Sequence, residues 1–163
     1  MVKHNAIQTG DLLVWSKSSR KKCFPFDYMK VVRLFTLSNY GHVSVAWVEN
    51  SNVLHVEAVQ PRIQKTVLPP SEGLYIIPMG LNLSGKDMSE FFSDKIGLPY
   101  GILDAFRAWA GWTLRDEEKW QCAELALEFY RAIGIDLPDA LTPSELVRTI
   151  MRELDKPLLK LNR

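Results

Sequence analysis

The stretch from Gly41 to Val59 constrains the fold more than any other part of this chain. It reads GHVSVAWVENSNVLHVEAV, in which two runs of alternating apolar residues flank the polar segment ENSN. Alternation of this kind predicts two half-buried antiparallel strands, over residues 41–48 and 53–59, with ENSN as the turn between them.

A turn centred between Asn50 and Ser51 determines which side chains face each other across this hairpin. One face is then entirely apolar and consists of three facing pairs: Trp47 with Leu54, Val45 with Val56, and Val43 with Ala58. The other face carries His42, Ser44, His55 and Glu57. A shift of one residue would mix the two faces, so the apolar pattern supports this register.

In this register His42 and Glu57 become diagonal neighbours, at roughly 7–8 Å between backbone positions. A carboxylate at that distance can bond one imidazole nitrogen, fix the tautomer and leave the other nitrogen facing a nucleophile. His55 lies on the same face and is the alternative base. We favour His42, because Gly41 beside it leaves room for an approaching helix terminus. Each of these residues taken alone is more often an ordinary polar-face residue.

The rest of the chain adds two strands and then a series of helices. The apolar runs at 12–15 and 74–79 predict strands, and Pro78 ends the second or confines it to a sheet edge. Helical spacing follows between Ser84 and Ile96, over about 102–112, within 120–135, and from 142 to about 154. Helix-end signals are Ser84 with Asp87, Gly134, and Thr142 with Pro143 and Glu145. The predicted fold class is α+β, with antiparallel strands first and helices packed on one side.

The stretch WQCAELALEFYRAIGI, residues 120–135, places Cys122 at the start of a predicted helix. Unpaired backbone N–H groups and the helix dipole favour a thiolate there, and the same groups can hold an oxyanion. Cysteine is also among the most buried residue types, and Cys122 continues the apolar stripe formed by Leu125 and Ala126. A reactive thiol and a small core residue are therefore both compatible with this stretch.

Length and charge narrow the class of protein. A chain of 163 residues predicts a single domain over 1–163, and a net charge of +1 gives no broad attraction for nucleic acid or anionic membranes. No apolar run is long enough to span a bilayer, and the start MVKHNAIQTG has no apolar segment of a signal peptide. We therefore expect a cytoplasmic protein, and a phage-encoded protein is also compatible with these features. Its two cysteines, Cys23 and Cys122, match no zinc motif.

The order of several short motifs resembles the circularly permuted papain-like hydrolases. These form the permuted branch of the NlpC-type amidase superfamily and are related to lecithin retinol acyltransferases. The motifs are GD at 10–11, GHVSV at 41–45, VEA at 56–58, PYG at 99–101, QCAEL at 121–125 and TP at 142–143. The resemblance covers about residues 9–147. Two positions depart from the family pattern: Ala123 stands where serine is common, and Ser44 where alanine or glycine is common.

This resemblance implies a fold, a reaction and a set of site residues. The fold would be a small antiparallel sheet or partial barrel packed against a cluster of helices. The reaction would be hydrolysis of amide bonds in peptides or peptidoglycan fragments, without a metal or organic cofactor. Cys122 would be the nucleophile, His42 the base and Glu57 the residue that orients the base. Candidates for oxyanion or substrate binding are Tyr100, Gln121 and Ser44.

Two other classes of function stay open at this point. The same superfamily includes lipid acyltransferases, so a lipase or acyltransferase acting on acyl lipids is one alternative, and a non-catalytic binding module is the other. In the segment DAFRAWAGWTL, Trp109 and Trp112 could contact lipid or line an apolar groove, although helix packing is the more ordinary role of such residues.

Overall fold

The computed structural model describes residues 2–3, 6–16, 39–69, 73–100 and 121–162, with the backbone alone for residues 2, 3 and 162. These residues form an α+β arrangement of one sheet and three helices. The strands are β1 (Val2–Lys3), β2 (Leu12–Ser16), β3 (Tyr40–Glu49), β4 (Asn52–Val59), β5 (Arg62–Val67), β6 (Leu74–Ile77) and β7 (Leu159–Asn162). The helices are α1 (Gly85–Phe92), α2 (Cys122–Ala132) and α3 (Pro143–Glu153).

The sheet has the strand order β1-β7-β6-β2-β3-β4-β5. In this order, every pair of neighbouring strands between β7 and the last strand, β5, is antiparallel. Among the described strands, only β1 runs parallel to its neighbour, which is β7. The sequence pattern did not predict β1, β5 or β7. Among these, β5 has the sequence RIQKTV, whose polar residues obscure the alternation that identifies a strand.

The hairpin of β3 and β4 has the predicted register. Trp47 pairs with Leu54 and Val45 pairs with Val56. Asn50 and Ser51 form the turn with positive φ angles of 49° and 63°, which matches the twist of a two-residue hairpin. The ladder begins at Val45 and Val56, so the expected pairing of Val43 with Ala58 lies outside it.

Both faces of the sheet are buried. The face against the helices carries the larger apolar cluster, which includes Val43, Val45 and Val56 from the hairpin and much of α2. The opposite face carries a smaller cluster that includes Leu13, Trp15 and Ala46. The polar residues His42, Ser44, His55 and Glu57 of β3 and β4 therefore lie inside the protein.

The helix ends largely follow the predicted signals. Ser84 and Asp87 cap α1 reciprocally, and Thr142 and Glu145 do the same for α3. Gly134 follows the last residues of α2 with φ of +88°. The first helix ends at Phe92, before the expected end at Ile96, and the predicted helix at 102–112 lies outside the described residues. None of the helices in the described part of the chain is long and apolar enough to cross a membrane.

The Gly10-Asp11 pair joins the sheet to α2. The buried Asp11 carboxylate accepts backbone N–H groups from Gln8 at 2.8 Å and Met79 at 2.9 Å, while burial raises the pKa of this carboxyl. Gly10 has φ of +90°, and a Cβ there would lie 2.7 Å from a Leu83 methyl group. The Tyr130 hydroxyl of α2 donates to the Gly10 carbonyl at 3.0 Å, which fastens the helix against the sheet.

Candidate active site

The candidate site lies where β3 and β4 separate. Among the described strands, β3 pairs upstream of Val45 with β2 alone, and β4 continues beyond Val56 paired with β5. Backbone N–H groups alternate between the two sides of a strand. The Ala46 N–H donates to the backbone carbonyl of Asp11, which is on the β2 side of β3. The Val43 N–H therefore points to the opposite side, toward the gap. Helix α2, which begins at Cys122, packs on both β3 and β4.

Cys122 is 8% exposed and lies in the larger apolar cluster, yet its thiol has polar partners. Burial raises the pKa of this thiol. The positive charge of His42, a hydrogen bond with the His42 side chain, and the backbone N–H groups of Val43 and Ala123 act in the opposite direction, and together they bring the pKa below its ordinary value. The arrangement favours a thiolate paired with an imidazolium.

His42 connects this thiol to a buried carboxylate. Its Nε2 lies 2.6 Å from Oε2 of Glu57, and the two residues are only 5% and 2% exposed. Because Glu57 engages Nε2, Nδ1 is the nitrogen that remains for Cys122. The structure thus brings together the three residues that the sequence grouped as nucleophile, base and orienting carboxylate.

The second oxygen of Glu57 has a partner that sequence reasoning missed. Gln64 of β5 lies directly opposite Glu57 in the ladder, and its Nε2 donates to Oε1 at 3.1 Å. The signal that could have identified Gln64 is its register in β5, but β5 itself was not predicted.

His55, the alternative base, occupies a separate part of the same polar layer. It is fully buried, with Nδ1 3.0 Å from the Ser44 hydroxyl and Nε2 3.1 Å from the Thr66 hydroxyl. Its Nδ1 also lies 3.8 Å from Oε2 of Glu57.

Ser44 was expected to bind substrate or the oxyanion, but its hydroxyl lies against His55 instead. Trp15 covers both histidine rings, with centroid distances of 5.3 Å to His42 and 5.4 Å to His55.

The remaining predicted residues lie in three different settings. Gln121 caps α2 next to Cys122, and its N–H donates to Glu124 at 3.3 Å. Tyr100 is partly buried against the larger apolar cluster, and its N–H donates to the Pro61 carbonyl at 3.0 Å. The expected roles of Gln121 and Tyr100 in binding stay predictions.

Three further residues singled out in the sequence lie outside the described residues: Trp109, Trp112 and Cys23.

Within the described ranges, histidine, cysteine, aspartate and glutamate form no group of three or more that could hold a metal ion.

No protein-family model and no curated protein matches this chain.

The solved structures that share the fold include a protein described as metalloprotein yiiX from Escherichia coli O157:H7, DUF1105. It is 20% identical, with a TM-score of 0.56 over 90% of this chain and 81% of the other. At that identity, the similarity shows a common fold and nothing further.

Proposed function

We propose that this chain is a cysteine-dependent hydrolase of amide bonds on a permuted papain-like fold. The observation that carries the proposal is the hydrogen-bonded series from Cys122 through His42 to Glu57. A purely structural core cysteine needs no imidazole beside it, and a buried carboxylate 2.6 Å from that imidazole is an arrangement that orients the base of a thiol nucleophile.

The reaction would proceed through an acyl-enzyme. The Cys122 thiolate attacks the amide carbonyl, and the backbone N–H of Cys122 at the start of α2 stabilises the tetrahedral oxyanion, an interaction of about 2.7–4 kcal/mol. The imidazolium of His42 then gives its proton to the leaving amine as the C–N bond breaks. A water molecule, deprotonated by His42, hydrolyses the thioester and restores the thiol.

Glu57 holds the imidazole in one tautomer and stabilises its cation through both proton transfers. Gln121 and Tyr100 are the proposed additional contacts of the oxyanion or the substrate. None of these steps takes a proton, an electron or a ligand from a metal or an organic cofactor.

The order of elements supports the fold part of the proposal. The histidine strand β3 precedes the cysteine helix α2, and the antiparallel sheet packs helices against one face, as the permuted papain-like arrangement requires. The yiiX protein is described as a metalloprotein, whereas the chemistry proposed for this chain uses its own thiol.

Acyl-enzyme trapping tests the proposal. The Cys23→Ser chain is mixed with p-nitrophenyl acetate, quenched with acid and mapped by mass spectrometry. We expect an initial burst of p-nitrophenol equal to the enzyme concentration and acetylation of Cys122, followed by turnover. Cys122→Ala should show no burst and His42→Ala a much slower one. Acetylation elsewhere, or a His42→Ala variant as fast as the parent, would contradict the mechanism.

The substrate class is tested separately. Peptidyl aminomethylcoumarin amides and short-chain phospholipids are offered to the same enzyme in parallel. We expect release of aminomethylcoumarin that depends on Cys122. Hydrolysis of the phospholipids alone would replace the amidase assignment with the lipid one while leaving the thiol mechanism in place.

A further inference from the structure

We propose that Gln64 is a positioning residue that holds the Glu57 carboxylate in the orientation His42 needs. This inference rests on the proposed function, because it concerns how the same site prepares its base. Gln64 lies outside every motif that carried the family resemblance.

The two oxygens of Glu57 have different partners. Oε2 lies 2.6 Å from Nε2 of His42, and Oε1 accepts the Gln64 amide at 3.1 Å. Oε2 also lies 3.8 Å from Nδ1 of His55. Rotation of the carboxyl group about its last bond has no strong intrinsic preference, so the hydrogen bond that Gln64 donates to Oε1 restricts the carboxyl group to one plane. Because Glu57 and Gln64 face each other in the β4–β5 ladder, the backbone register maintains this contact.

The neutrality of the amide matters as much as its position. A lysine or arginine at position 64 would form its own ion pair with Glu57 and reduce the negative charge available to the imidazolium. The nearest cation along β5, Lys65, instead lies 3.0 Å from Glu49 and 3.5 Å from the Trp47 ring centroid. Gln64 thus fixes the carboxylate without neutralising it.

A comparison of two variants on β5 tests the inference. Gln64→Met keeps the length of the side chain and removes the donor. The matched control is Thr66→Val, which removes a contact of the same 3.1 Å length from the same strand to the neighbouring His55. Both are made in the Cys23→Ser chain. The rate of Cys122 alkylation by iodoacetamide is measured from acid to alkaline pH, and urea unfolding is measured beside it.

The parent chain should titrate below the ordinary thiol value of about 8.5. Gln64→Met should move the midpoint upward by about half a pH unit, with a roughly threefold slower reaction at neutral pH, because a less fixed carboxylate stabilises the imidazolium less. Thr66→Val should keep the parent midpoint. Gln64→Asn, whose amide is too short to reach Oε1, should shift the midpoint like Gln64→Met and replaces it if that variant does not fold.

Each other result has a distinct meaning. A parent chain that titrates like a free thiol overturns the proposed function, and this inference with it. A low parent midpoint that Gln64→Met leaves unchanged overturns the role of Gln64 alone, even if the variant unfolds at lower urea. Equal shifts in Gln64→Met and Thr66→Val also overturn it, because general loosening of β5 would then account for both.

Discussion

Cys122 combines two properties that the sequence left as alternatives. It is 8% exposed and belongs to the apolar cluster under the sheet, where a thiol would ordinarily be neutral and inert. The charge of His42 and three hydrogen bonds nevertheless outweigh this burial and lower its pKa. A buried position therefore does not exclude a reactive role here, because the helix terminus and the histidine supply polarity locally.

Replacement of Glu57 by glutamine tests the orienting carboxylate. The glutamine side chain would fill the same space but lose the negative charge, and its amide group can favour the wrong imidazole tautomer. We expect kcat/KM to fall by about 10²- to 10⁴-fold, measured with the best aminomethylcoumarin substrate. Glu49→Gln, at an exposed position on the same hairpin, is the control and should stay within about twofold of the parent. A Glu57→Gln enzyme with parental activity would remove Glu57 from the mechanism.

The buried carboxyl group of Asp11 should make the protein less stable as the pH rises. Burial raises the pKa of its carboxyl above the usual 3.8, so the folded state binds this proton more tightly than the unfolded state. Its contribution to stability is complete below about pH 3.8 and is lost as the pH rises through the folded pKa. The free energy of unfolding of the parent minus that of Asp11→Asn should therefore decrease over this range, as measured by urea unfolding. An increase with pH would contradict the assigned direction.

At the scale of elements, the important feature is that α2 is held near both of its ends. Cys122 contacts β3 at the first turn, and the buried Tyr130 in the last turns donates to the Gly10 carbonyl at 3.0 Å. Gly10 lies two residues before β2, so this hydrogen bond joins the helix to the central strands of the sheet. The position of the thiol relative to His42 thus depends on the whole helix.

Tyr130→Phe removes that hydrogen bond and leaves a buried carbonyl without its donor. We expect a loss of about 1–3 kcal/mol in the free energy of unfolding, measured in urea. Tyr75→Phe, at a partly buried position on β6, should cost clearly less. Equal losses in the two variants would mean that the Tyr130 hydroxyl has no special part in fastening α2.

The start of α3 provides a second element-level prediction. Thr142 accepts the Glu145 N–H at 3.2 Å, and Glu145 accepts the Thr142 N–H at 3.0 Å. Thr142→Ala should therefore destabilise the protein by about 0.5–2 kcal/mol in urea unfolding. Thr142→Ser retains the hydroxyl and should recover most of this loss. Failure of serine to do so would assign the effect to the threonine methyl group.

For the molecule as a whole, the site exists because the sheet opens. Strands β3 and β4 stay paired near the turn and separate toward His42, which leaves backbone groups such as the Val43 N–H facing a gap that α2 enters. A continuous ladder would satisfy those backbone groups within the sheet and leave no position for a thiol. The candidate site therefore depends on this irregularity of the sheet.

A whole-molecule prediction concerns metal removal. Extended dialysis against EDTA should leave amide turnover unchanged, and iodoacetamide should abolish it, because the proposed nucleophile is sulfur. A buffer-dialysed sample of the same preparation is the control. Activity that is lost in EDTA and restored by Zn²⁺ would contradict the thiol mechanism and favour metal chemistry instead.

Local patterns were enough to predict several parts of this structure. The apolar alternation and the two-residue turn predicted the pairing of Val45 with Val56, and cap residues predicted the starts of α1 and α3. These features depend on residues that are close in the chain, so hydrophobic periodicity and capping residues are enough to predict them. The same patterns missed β5 because its side chains are mixed in polarity, although one of its residues contacts Glu57.

The sequence by itself determined the α+β composition, the hairpin register and the proximity of His42 to Glu57, all of which follow from short-range backbone geometry. Only the tertiary structure decided that the thiol of Cys122 meets His42, that Ser44 turns to His55, and that Gln64 holds the second oxygen of Glu57. The first two of these contacts depend on how α2 enters the opened sheet and on how side chains divide a buried polar layer. The third requires a strand that local periodicity does not reveal. Such contacts join elements that are distant in the chain, and packing of the complete core selects among the many arrangements that each element alone would permit.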